Sequence, residues 1–115
     1  MVTNFDYPNH VFSLWGYSVS HRQLLLRSNK TPNNPWRVDV LFKDVTSLRL
    51  ETHLDGLTVS EVSAIAGLEV ELASRKIYLL ETKGPKCFVV AGAAFEHRDQ
   101  MEYSDPSPLW TWTLS

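Results

Sequence analysis

The chain has 115 residues, 43% hydrophobic, 21% charged and 11% aromatic, close to the globular averages of about 45–50% apolar and about 25% charged. Pervasive disorder is thereby disfavoured, and one domain with a core that needs no metal or disulfide staple is expected. Eleven Lys and Arg against thirteen Asp and Glu leave a net charge of −2, which disfavours a nucleic-acid binder, whose affinity rests on neutralising phosphates.

In chain order, Met1–Asn9 reads as a polar leading arm ending at Pro8-Asn9. It has no cationic start and no apolar core, so it is not a signal peptide. No apolar run approaches the roughly 20 residues that span a bilayer. The expected location is the cytoplasm. His10–Val19 alternates as a first strand, with Gly16 marking a bulge or a close approach. Ser20-His21 is a turn. Arg22–Ser28 is a second strand, apolar on both faces in its middle and therefore central.

Asn29–Pro35 is a loop by its Asn and Pro content. Trp36–Lys43 reads as a half-buried third strand: Val38, Val40 and Phe42 point inward, and Arg37, Asp39 and Lys43 outward. Val45–Leu54 follows, with Thr46, Leu48 and Leu50 inward. Asp55-Gly56 has the chemistry of a hairpin turn, and Leu57–Val62 is a short strand after it. The spacing over Ser60–Ser74 is mixed: a loop or one helical turn near Glu61–Ala66, then a strand at Leu68–Ala73. Arg75–Lys83 is a strand, Lys83–Lys86 its turn, and Lys86–Glu96 a last long strand. The slim middle of that strand, Gly92 among alanines, suits another element pressing close. Asp99–Pro108 is a rigid polar connector, and Leu109–Ser115 alternates apolar residues with threonine as a strand does.

The expectation is a mainly β, single-domain antiparallel sandwich or small bent barrel of seven to eight strands with at most one short helix. The β domain spans 1–98. Residues 99–115 form a connector and Trp-bearing tail that packs on the same or a neighbouring subunit.

No motif for nucleotide, nucleophilic or kinase chemistry is present. Cys87 allows no intrachain disulfide or Cys-rich zinc site, fits a reducing compartment, and reads as a core residue rather than a nucleophile. Glu69 and Glu71 share a strand face and read as its wet side rather than an acid–base pair. The four histidines give no local pair of imidazoles, so no metal or cofactor is expected. The aromatic residues fill the core of a small β domain or dock on a partner, since Trp and Tyr are enriched at binding hot spots. Trp110 and Trp112 lead as partner-binding residues, with Trp36 beside the Asn29–Pro35 loop. Their tail can pair with its own sheet, exchange in a homodimer, or engage a foreign protein.

The layout of Ser18–Ser28 and Arg37–Leu57, with Phe42-Lys43-Asp44-Val45 and Asp55-Gly56-Leu57, resembles small bacterial β-rich domains of uncharacterised families. Some of these act as immunity proteins beside toxins. The resemblance covers under half of the chain and carries over no functional residue. The leading reading is a non-enzymatic protein-binding domain. The alternative is a small-molecule barrel, or a small hydrolase or isomerase, with His53, Glu96 and His97 as its polar groups.

Overall fold

Period-two hydrophobicity builds strands along most of the chain. The computed structural model, which describes residues 2–109, contains eight of them: β1 (Val2–Ser18), β2 (Gln23–Ser28), β3 (Arg37–Lys43), β4 (Ser47–Arg49), β5 (His53–Val62), β6 (Lys76–Glu81), β7 (Cys87–Ala91) and β8 (Ala93–Asp99). They form one antiparallel sheet in the order β4-β7-β6-β5-β1-β2-β3-β8. Among the described residues there is no helix, and hence none long and apolar enough to cross a membrane.

The sheet folds over on itself at two corners. β1 makes one. Its residues from Val2 to Ser13 pair with β5 and those from Ser13 to Ser18 with β2. Register slips between Tyr7 and Val11 and between Leu14 and Gly16 bend it, as bulges do. The second corner lies where the β3–β8 ladder continues into β4–β7. There Gly92 donates its N–H to the Lys43 carbonyl at 2.9 Å, and Thr46 donates to Val90 at 3.0 Å. A side chain at position 92 would sit 3.2 Å from Asp44, which accounts for glycine among the alanines.

Phe12, Leu24, Leu26, Val40, Phe42, Leu54, Leu57, Val59, Tyr78, Leu80 and Val89 fill the space between the two halves. Phe42 on β3 meets Tyr78 on β6 edge to face, with ring centroids 5.5 Å apart. The antiparallel sandwich, or open barrel, is therefore a single packed unit. Its radius of gyration, 13.8 Å, is close to the roughly 13 Å of a compact chain of about 100 residues.

Several local expectations are corrected. The leading arm is β strand from Val2 onward and supplies the first half of β1. Asp55-Gly56 lies inside β5 instead of forming a turn. Gly56 takes φ of +76° because β1 bulges opposite it, and a Cβ there would lie 2.9 Å from the Pro8 carbonyl oxygen. Leu68–Ala73 is loop, because its alternating residues find no strand to pair with. Of the two alternatives for Glu61–Ala66 the loop is the one that forms, although β5 runs on to Val62 before it begins. The long strand over Lys86–Glu96 breaks at Gly92 into β7 and β8, and Leu48 on short β4 is exposed. The largest change concerns β3, whose charged face is covered: Arg37 and Asp39 are each only 1% exposed.

Candidate functional site

What covers that face is the segment after β8. It turns back across the outer surface of β3 and β2, where Arg27, Asp39, Arg37 and Asp99 form two ion pairs. Arg27 grips Asp39 through two N–H groups at 2.7 and 3.1 Å, and Arg37 grips Asp99 through two at 2.9 Å. The remaining guanidinium donors hold the segment by its backbone. Arg27 Nη1 donates to Tyr103 O at 2.7 Å, and Arg37 Nη1 donates to Glu102 O and Asp105 O, each at 2.7 Å. A planar fork with five donors suits this double duty. Burial alone would raise the Asp99 pKa. The hydrogen bonds from Arg37 and from the Met101 N–H, with the charges of Arg37 and His97, outweigh it and hold the carboxyl below its usual range.

The crossing segment walls one side of a cleft of about 700 Å³. The other side is the end of β1 and the β1–β2 hairpin, with Trp15, Tyr17 and Val19; Leu25 lies beneath and Pro106 opposite. The Arg27 guanidinium carbon sits 4.9 Å from the centroid of the Trp15 ring, a cation–π contact that fixes the indole at the cleft edge. A shallower cleft of about 470 Å³ on the other side of Tyr17 is lined by Leu14, Leu24, Val45 and Leu48. Tyr17 belongs to both, so the apolar surface wraps around the hairpin. Gln23, 8% exposed, starts β2 two residues before Leu25, pairs with Ser18 and lines neither cleft. Its Oε1 has no hydrogen-bond partner among the described residues.

A second cluster stands at the far end of β2. Tyr7 donates its hydroxyl hydrogen to Glu96, and His10 Nδ1 lies 3.3 Å from Ser28 Oγ. The Asn34 amide nitrogen lies 3.0 Å from His10 Nε2. Burial, and then the positive charge of Arg98, lower the His10 pKa. Burial, the hydrogen bond to Glu96 and its charge raise that of Tyr7. His10 with Ser28 has the outline of a base and nucleophile. Ser28 is only 3% exposed, however, and its hydroxyl is not presented to a substrate. The pair closes the sheet end.

Trp110 and Trp112 lie outside the described residues. Trp36 is 40% exposed at the start of β3, with the Arg98 guanidinium carbon 5.4 Å from its ring centroid. Glu96 and His97 are neighbours on β8 and so point to opposite faces: Glu96 towards Tyr7, and His97 towards Asp99 at 3.3 Å. His53 starts β5 opposite Ser13. The three share no contact, and none of them lines either cleft. Among the described residues no group of three His, Cys, Asp or Glu is placed to hold a metal ion. Sequence reasoning passed over the hairpin because Val19 and Tyr17 read as ordinary strand residues. The signal was Val19 beside a polar turn, with nothing apolar near it in sequence. Comparison of the chain with protein-family models, with curated proteins and with solved structures gives no match.

Proposed function

We propose that the chain is a non-enzymatic protein-binding domain of a bacterial cytoplasmic protein, and that it receives an apolar segment of its partner around the β1–β2 hairpin. An immunity-type role is one concrete form of this reading. One observation carries it: Leu14, Trp15 and Tyr17 at the end of β1 and Val19 in the turn that follows are all exposed, Val19 at 83%, and they border two adjoining clefts. Contiguous exposed apolar surface of this kind marks interaction sites, and aromatic residues beside a pocket supply the anchors. Trp36 offers a second, smaller contact. The test is a photo-reactive residue placed at Val19 in the intact chain, with the same group at Lys83 on the β6–β7 turn as a control. Covalent adducts to one protein, formed from position 19 and absent from position 83, support the reading. Equal labelling from both sites, or none from position 19, refutes it.

A small-molecule carrier is the second reading, because about 700 Å³ falls within the range of about 300–1,000 Å³ typical of ligand pockets. It would use the same cleft and not His53, Glu96 or His97.

A further inference from the structure

We infer that β8 is a docking edge for a second copy of this chain, and that two copies join through it, β8 against β8, into one continuous antiparallel sheet. The sheet ends at β4 and at β8, and the two ends are unlike. β4 has three residues, and so short an edge offers little to pair with. β8 has seven, none of them proline, and it holds β3 through seven consecutive pairs with no register shift. Among the described residues no strand pairs with its other side, which therefore presents a regular row of backbone donors and acceptors.

The charges along this edge decide what it receives. Glu96 and Arg98 are both exposed and, two residues apart, share one face of the strand. Glu96 accepts the Tyr7 hydroxyl hydrogen and Arg98 lies over the Trp36 ring, yet neither forms an ion pair among the described residues. Charges on an edge ordinarily bar strand pairing, since like charges directly opposite repel. Symmetry settles the register. A two-fold axis normal to the sheet keeps each residue on its own face, so the pairing must centre on one residue set against its own copy. Centred on Glu96, Arg98 or Asp99, it brings like charges together. Centred on His97, which carries no fixed charge, it sets Glu96 opposite Arg98 of the partner subunit and Arg98 opposite Glu96 of the partner subunit. Two opposite-charge pairs then flank the axis, and Trp36 stands beside them. A foreign strand would have to supply this complement, whereas the chain carries it itself. The inference is independent of the hairpin reading. No residue of β8 lines either cleft, and β3 separates β8 from β2, so the dimer leaves both clefts open and presents two copies of each.

The test is sedimentation equilibrium of the full chain, of Glu96→Arg, of Arg98→Glu, and of the two variants mixed. The inference predicts twice the 13.1 kDa chain mass for the unaltered protein. Each variant alone should dissociate roughly tenfold or more easily, because both flanking pairs become repulsive. Mixed, the variants should associate as a heterodimer, since the two changes complement each other across the axis. A monomer at every concentration overturns the inference. So does a dimer that either single variant leaves intact, or a mixture that stays monomeric. Should a variant fail to fold, a cysteine in place of His97 decides instead, Cys87 being buried. A short bismaleimide linking two chains at that position, and not at a cysteine in place of Lys83, supports the inference. Equal linkage at both positions, or none at His97, defeats it.

Discussion

Arg37 and Asp39 show where local pattern misleads. In sequence they alternate with Val38 and Val40, as solvent-facing residues of a half-buried strand would. Yet Arg27, Arg37 and Asp39 are each at most 2% exposed, because residues more than 60 positions later lie across them. Burial of this kind is a property of a contact at long sequence distance, and alternation within seven residues holds no trace of it. The consequence is measurable. Removing one partner strands the other charge, so Asp39→Ala should cost about 3–5 kcal/mol in urea unfolding. Replacing the pair by apolar residues, Arg27→Met with Asp39→Leu, should recover much of that loss; it still forfeits the bond to Tyr103 O. The His10 imidazole carries a pH signature. Its pKa in the fold is below the ordinary 6.5, so below that pH the unfolded chain takes up the proton first and stability falls as pH falls. Tyr7 and Tyr78 are shifted the other way, so stability also falls as pH rises above 10. His10→Gln should reduce the slope of unfolding free energy just below pH 6.5, measured by urea unfolding across that range.

At the level of elements, the strands with clean alternation were readable and their interruptions were less so. β2 has Leu24, Leu25 and Leu26 in succession and lies central, between β1 and β3. Gly92, slim among alanines, marks a true close approach. Asp55-Gly56 has the same composition as a hairpin turn, but its left-handed φ serves a different need: room for the bulge that Pro8 and Asn9 force into β1. Turn chemistry reports a backbone angle and not the path of the chain. Gly56→Ala should therefore cost more than the left-handed conformation alone, about 2–3 kcal/mol in all, because the Pro8 carbonyl stands 2.9 Å from the new Cβ. Gly67→Ala is the internal control. Its φ is +80° but nothing lies within 4 Å, so about 1 kcal/mol is expected. Thermal melts of the two variants separate steric from conformational strain.

For the molecule as a whole, the fold class followed from composition and period, whereas the hairpin clefts and the crossing segment are products of tertiary packing. Arg37→Lys tests the crossing segment. A lysine keeps the charge but loses the fork that reaches Asp99, Glu102 O and Asp105 O together. Exchange should rise in 100–107 while the sheet amides stay protected, and a rise spread over β2 and β3 would contradict that view. The ladders β1–β5 and β3–β8 join residues from 40 (Ser13 with His53) to 62 (Arg37 with Asp99) positions apart. Folding should accordingly take milliseconds to seconds in stopped-flow experiments, in one cooperative step. The 17-residue β1 gives edge pairing to both halves of the sheet, so neither half is a finished object without it. Severing the backbone at the exposed Ser20-His21 turn would yield a short peptide and a large remainder, each incomplete alone. Mixed together, they can reconstitute the barrel, which would make this protein a natural starting point for a split reporter.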